Sequence, residues 1–334
     1  MPDLADIATQ LTTDGRGILA ADESIRTMSQ RLEAEGIEGT ERNRRDYRQL
    51  LVTAPGLAEH VSGVILCDET FGQSTTDGRP FPEACRDAGI LAGIKVDTGT
   101  SVLPRQRGAT VTEGLDGLGV RLADYATRGA AFAKWRAVID PATTTPYAVR
   151  ANAGALARYA ALCQEHGLVP IVEPEVLCTG SHNLSRSAEV TRAGLESVFE
   201  ELAGARVDLR GIVLKPNFVT PGLDGPHATA KSVAAVTLDV LRATVPEEVA
   251  GIAFLSGGHS TERSVRFLER INAIESAQGR WPLTFSFGRA LVSPALEAWA
   301  GSSANVTLAQ RVLLANCEQA SRSTRVPSVA GVRA

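Results

Sequence analysis

The sequence predicts an α/β protein folded as a (βα)8 TIM barrel in a single domain, and three observations carry that prediction. Eight short apolar runs recur along the chain, each ending in charged, hydroxyl-bearing or glycine-rich residues. Segments with helical texture lie between them, as alternating βα units require. The first run continues into ADESIRT, with none of the glycines that a doubly wound dinucleotide-binding sheet needs after its first strand.

The runs are GILAADES (17–24), VSGVILCDE (61–69), AGIKVD (92–97) and FAKWRAVI (132–139), then LVPIVEPE (168–175), GIVLKPN (211–217), GIAFLSGG (251–258) and LTFSFGR (283–289). Strands covered by protein on both faces read as nearly continuous apolar runs, and these mostly do. Residues i and i+2 of a strand point to one side. Lys95/Asp97, Lys134/Arg136 and Glu173/Glu175 therefore each present two charges together. Unpaired buried charges are costly, so these groups need partners, and a barrel interior supplies them. Apolar spacing of the 3.6-residue kind predicts helices over 46–52, 152–165, 187–202, 228–245, 261–276 and 294–301. Asn152 and Thr261 are the expected N-caps of two of them. Residues 100–118 read as a long polar loop after the third strand. The domain is expected to span 1–320, and the Ser/Arg/Val-rich 321–334 to be a mobile tail.

Composition narrows the function. With 44% hydrophobic and 22% charged residues among 334, the chain has an ordinary globular balance. No apolar run approaches the ~20 residues of a spanning helix, so no membrane partner is expected. A net charge of −4 gives no basic field, so nucleic acid is not an expected partner either. The acidic start MPDLADIATQL lacks the plan of a signal peptide, and an odd cysteine count without CxxC spacing agrees with a reducing compartment. The expected location is cytoplasmic. Five scattered histidines without HxH or HExxH spacing argue against a metal centre, so no metal or cofactor is expected.

The active site of such a barrel lies at the C-terminal ends of its strands. Lys215 ends an apolar run there, where lost solvation and neighbouring Lys95, Lys134 and Arg136 disfavour its ammonium form. A neutral lysine attacks carbonyls to give a Schiff base. A structural lysine paired to Glu173 or Glu175 is the other reading. Those two glutamates are candidates for acid–base work, or simply for neutralising the lysines. Ser256-Gly257-Gly258 follows the seventh strand and Gly288-Arg289 ends the eighth, where barrels often bind phosphate. Glycines admit backbone N–H groups to an anion, and arginine adds a bidentate fork.

Taken together, GILAADES, NRRDYRQLL, DGRPFP, GIKVD, GLDGL, FAKWR, ARYA, VPIVEPE, LKPN, FLSGG and FSFGRAL resemble class I fructose-bisphosphate aldolase, the metal-independent Schiff-base type. The resemblance runs from about Gly15 to about Asn316. It implies a homotetramer that reversibly cleaves fructose 1,6-bisphosphate to dihydroxyacetone phosphate and glyceraldehyde 3-phosphate. Lys215 resembles the Schiff-base lysine and Glu173 the main acid–base group. Asp22 matches the residue that polarises the hydroxyls at the scissile bond, and Lys134 the second active-site lysine. Ser256, Gly257, Gly258, Ser286, Gly288 and Arg289 resemble the C1-phosphate site. Ser24, Arg31 and Lys95 fall where the other phosphate binds, and Arg136 and Glu175 where the family supports its lysines.

The chain also departs from that pattern. Arg26 and Thr27 replace a glycine and a serine of ADESTGS, His259 stands for glutamine, and Phe287 for tyrosine. No tyrosine follows Tyr159, so the terminal tyrosine that assists proton exchange in animal members has no counterpart, and Glu173 with water is expected to carry that step. A Schiff-base aldolase for a different phosphorylated sugar is one alternative. A non-catalytic binding protein is the other, and retention of Lys215, Glu173, Asp22 and Arg289 argues against it.

Overall fold

The computed structural model describes residues 3–275 and 279–325. The chain begins with α1 (Leu4–Thr12), β1 (Gly17–Ala21), α2 (Ile25–Ala34) and α3 (Glu41–Val52). Next come β2 (Val61–Leu66), α4 (Asp68–Gly72), α5 (Phe81–Asp87) and β3 (Leu91–Lys95). A hairpin of β4 (Gly99–Val102) and β5 (Thr110–Glu113) precedes α6 (Leu118–Thr127) and β6 (Phe132–Ile139). Then follow α7 (Pro146–Glu165), β7 (Val169–Val176), α8 (Leu184–Gly204) and β8 (Val213–Leu214). The remainder holds α9 (Ala230–Thr244), β9 (Ile252–Phe254), α10 (Thr261–Glu275), β10 (Leu283–Phe287), α11 (Arg289–Trp299) and α12 (Val306–Thr324).

Each of the eight expected runs supplies one strand of a closed parallel barrel, ordered β1-β10-β9-β8-β7-β6-β3-β2. Pairing of Ile18 with Ser286 closes it. The ladder at β8 is short because Pro216 offers no N–H, although Lys215 N still donates to Val172 O at 2.8 Å. The outer face of the strands and the inner face of the helices form one continuous apolar core. No described helix is long and apolar enough to cross a membrane.

The barrel interior has an apolar floor and a charged upper level. Ile18 and Ala20 of β1, Phe132 of β6, Val169 and Ile171 of β7, Val213 of β8 and Ala253 of β9 form the floor. Helix α1 plugs it from below with Ile7, Ala8 and Leu11. Two residues further along these strands the same face carries Asp22, Lys134, Glu173 and Lys215, all of which line the cavity above. Gly93 makes room for this floor, since the Phe132 ring fills the space that a Cβ would take.

Local chemistry moved several expected boundaries. The polar segment 100–118 contains the β4–β5 hairpin, paired from Gly99↔Glu113 to Val102↔Thr110. Asn152 is not an N-cap, because α7 starts at Pro146 under Thr145, whose side chain accepts from Ala148 N. Instead Asn152 is buried and holds the hairpin, accepting from Thr112 N at 3.2 Å and donating to Thr110 O at 2.7 Å. Nor does Thr261 cap α10. Helix α11 begins at Arg289 and contains Pro294, which cannot donate to the Ala290 carbonyl, and Thr261 Oγ1 donates to that carbonyl instead. Residues 321–324, expected to open a mobile tail, are the last turn of α12. There Ser321 Oγ donates to Gly15 O at 2.6 Å, tying the helix to the start of β1. The rest of the expected tail, 326–334, and the end of the predicted helix at 276 lie outside the described residues.

Candidate active site

All fifteen residues singled out from the sequence as site candidates line one cavity of about 700 Å³ at the C-terminal mouth of the barrel. Those on strands reach it by the inward alternation just described. Asp22, Ser24, Ser256 and Arg289 reach it because each strand ends there and its next residues form the rim.

At the centre stand four ionisable groups, of which Lys134, Glu173 and Lys215 are buried and Asp22 is partly so. Lys134 Nζ lies 3.0 Å from Asp22 Oδ2 and 2.8 Å from Glu173 Oε2, the second an ionic contact rather than a directed hydrogen bond. Glu173 turns its other oxygen to Lys215, with Oε1 3.4 Å from Nζ. One carboxylate thus bridges both lysines. Their electrostatics differ sharply. Burial pushes the Lys215 pKa down, Glu173 opposes that shift, and the Lys134 charge reinforces it. Burial alone would lower Lys134 too, but Asp22 and Glu173 together hold it above the ordinary lysine value. Lost solvation would raise Asp22, yet Lys134 and then Lys215 keep its carboxyl well below the usual range. The result is a charged Lys134 beside an ionised Asp22, with Lys215 biased toward the free amine. Such an amine can attack a carbonyl, with a carboxylate at hand to move protons.

Around this centre, Arg136 Nε bonds Glu175 and holds it against the wall. Asn217, quoted in the LKPN string only as part of a match, has a definite mechanical role. It accepts from Val176 N at 3.0 Å and donates to Phe218 O at 3.0 Å, locking the segment after Lys215 to the end of β7. No periodicity could have marked it, because its partners lie on other elements.

One end of the cavity suits an anion. Gly257 and Gly258 both have positive φ (57° and 87°), where a side chain is strained. A Cβ on Gly258 would stand 3.3 Å from Arg289 Nη2, so glycine lets that guanidinium approach the turn. The turn is closed by His259 N donating to Ser256 O at 3.0 Å. Burial, with the Arg263 charge, drops His259 to about 4, so it is neutral at neutral pH and adds no charge of its own. Ser286 is 1% exposed, and its Oγ has no hydrogen-bond partner among the described residues. Arg289 likewise has no acidic partner among them. Both wait at the N-terminus of α11, which favours negative charge. Charge-assisted bonds contribute ~1.5–3 kcal/mol each, so Arg289→Ala should cut kcat/KM for a phosphorylated substrate by about one to two orders of magnitude. Steady-state kinetics that show an unchanged kcat/KM would remove Arg289 from the site.

The opposite rim holds the N-terminus of α2, where Ser24 accepts from Thr27 N at 3.2 Å. Thr27 lines the cavity there, while Arg26 is exposed and is not part of the lining. Lys95 is drawn to Asp97, 2.7 Å from Oδ1 and 2.8 Å from the carbonyl. Arg31 is ion-paired to Glu23 and donates to Ser293 Oγ at 3.0 Å. Neither cation at this rim is free of a partner. Glu23 and Asp97 were not among the site candidates, although Glu23 lies between Asp22 and Ser24 and Asp97 shares a strand face with Lys95. No group of three or more His, Cys, Asp or Glu side chains that could hold a metal ion occurs among the described residues.

Comparison with known proteins agrees with this geometry. The family profile "Fructose-bisphosphate aldolase class-I" matches residues 3–328. The chain is 47% identical over 319 residues to the cytoplasmic fructose-bisphosphate aldolase isozyme of Spinacia oleracea, covering 95% of this chain and 89% of that protein. It is 46% identical over 339 residues to the muscle-type enzyme of Lethenteron camtschaticum, covering 99% and 93%. Among solved structures, the fructose-bisphosphate aldolase of Plasmodium falciparum, crystallised with TRAP and a small molecule inhibitor, superposes with a TM-score of 0.93. Identity there is 43%, covering 96% of this chain and 93% of that one.

Proposed function

The chain belongs to the class-I fructose-bisphosphate aldolase family, and from that premise we propose how its own residues divide the reversible cleavage of fructose 1,6-bisphosphate. Lys215 Nζ attacks the C2 ketone of the open-chain sugar, and loss of water leaves a protonated imine. A proton then leaves the C4 hydroxyl, the C3–C4 bond breaks, and its electron pair flows into the imine to give an enamine. Glyceraldehyde 3-phosphate departs. Protonation at C3 and hydrolysis of the imine release dihydroxyacetone phosphate and restore the amine. Glu173 carries the proton transfers, since among the described residues it is the one carboxylate in contact with both lysines. Asp22 and Lys134, 3.0 Å apart, polarise the hydroxyls beside the scissile bond and balance the charge that develops there.

The remaining residues hold the substrate. Ser256, Gly257, Gly258, Ser286, Gly288 and Arg289 take the C1 phosphate at the turn and helix end where a polar group stands unpaired. Ser24, Arg31 and Lys95 take the C6 phosphate, with Arg31 and Lys95 exchanging a carboxylate partner for it. Arg136 and Glu175 brace the central charges. The assembly is a homotetramer working in the cytosol, in line with the family resemblance and with relatives named as cytoplasmic or cytosolic isozymes.

A single observation carries this reading: Lys215 is a buried lysine biased toward its amine form beside a carboxylate that also contacts a second lysine. Borohydride reduction in the presence of dihydroxyacetone phosphate, with EDTA throughout, should label the peptide containing Lys215 and leave cleavage activity before reduction unchanged. A label on Lys134 or Lys95, or activity lost to EDTA and restored by zinc, would overturn it.

A further inference from the structure

The most deeply buried arginine in the neighbourhood of the site does not touch the cavity. Arg48 of α3 is 1% exposed and sits behind the end of β1. Its Nε donates to Ala21 O at 2.7 Å, and its Nη2 donates to Glu23 O at 3.3 Å and Glu23 Oε2 at 2.8 Å. The remaining nitrogen, Nη1, meets Met28 Sδ at 2.8 Å. The two carbonyls it holds belong to the residues on either side of Asp22. A buried guanidinium loses much solvation, and this one recovers it almost entirely from the backbone around a single cavity residue and from one carboxylate.

That carboxylate has a second partner. Glu23 also pairs with Arg31, whose guanidinium donates to Ser293 Oγ at 3.0 Å on α11, the helix that begins at Arg289. The chain of contacts therefore links the strand end bearing Asp22 to α2 and to the helix at the anion-binding turn. Arg48 anchors it from outside. A lysine at position 48 has the charge but one nitrogen, and could not hold both carbonyls and the carboxylate together.

We propose that Arg48, acting through Glu23, is a positioning residue for the cleavage step: it fixes the backbone on both sides of Asp22 so that this carboxylate meets Lys134. The inference rests on the reading that Asp22 acts in carbon–carbon cleavage, whereas imine formation depends on Lys215, on a different strand end. Small displacements of a reacting group cost rate steeply, so Arg48→Lys should lower kcat for fructose 1,6-bisphosphate cleavage by about tenfold or more. KM should stay within about threefold, and borohydride-trapped imine per protomer with dihydroxyacetone phosphate should equal that of the parent enzyme.

Glu23→Gln, a milder change, should lower kcat by about fivefold with full imine trapping, and it decides the matter if Arg48→Lys does not fold. Asp22→Asn serves as the reference. If Asp22→Asn lowers kcat by tenfold while the other folded variants stay within twofold of the parent, Arg48 is not a positioning residue. A fall in kcat matched by an equal fall in trapped imine would mean general damage to the fold, and would equally overturn the inference. If Asp22→Asn itself leaves kcat unchanged, the role given to Asp22 fails first, and the inference falls with it.

Discussion

Replacing Lys215 with methionine is expected to lower kcat for fructose 1,6-bisphosphate cleavage by about four orders of magnitude or more, because the covalent route disappears with the amine. The change should be tolerated structurally. Lys215 is buried, its ionic contact to Glu173 is 3.4 Å long, and methionine has a similar length without a charge to desolvate. Loss of borohydride trapping with a retained melting transition is the expected pair of results. Retained trapping would assign the imine elsewhere.

The same residue sets a pH dependence. Burial lowers the Lys215 pKa below its ordinary 10.5, with Lys134 adding to the effect. The amine fraction therefore grows as pH rises through the lowered pKa, and imine formation should slow as pH falls below it. Between that pKa and 10.5 the unfolded chain binds more protons at this lysine than the folded one does. The contribution of this group to stability accordingly rises with pH across the window. Single-turnover trapping at a series of pH values tests the kinetic half. A rate that rises as the solution is acidified would contradict it.

Glu173→Gln is expected to have the second largest effect, lowering cleavage by about 10²–10⁴-fold, the usual contribution of a positioned acid–base group. The amide keeps the shape of the side chain and loses both proton transfer and the charge that bridges Lys134 and Lys215. Exchange of deuterium at C3 of dihydroxyacetone phosphate should fall by a comparable factor, since the same carboxylate carries the proton transfer at that carbon. Should cleavage fall while C3 exchange stays near the parental rate, some other group protonates the enamine.

Much of the molecule was legible in one dimension because strand alternation is a local rule. Eight apolar runs became eight barrel strands, and the pairs Lys95/Asp97, Lys134/Arg136 and Glu173/Glu175 all line the cavity. Their shared side follows from the two-residue period of a strand, whatever surrounds it. Helix ends were less legible. Asn152 and Thr261 have the chemistry of N-caps, yet both serve carbonyls elsewhere in the fold, Asn152 in the hairpin and Thr261 at the Ala290 carbonyl that Pro294 leaves unpaired.

The sequence by itself determined which side chains meet inside the barrel, because parallel strands with a fixed alternation place their C-terminal residues on one rim. It also marked the glycine turn facing Arg289, because glycine adopts positive φ without the steric cost that a Cβ brings. Tertiary structure alone decided the partners: that Glu173 bridges two lysines, that Arg31 is held by Glu23, and that Arg48 grips both sides of Asp22. Those choices depend on distances between residues on different elements of the fold. Coulombic and hydrogen-bonding energies fall off over a few ångströms, so only the closed barrel brings the groups within range.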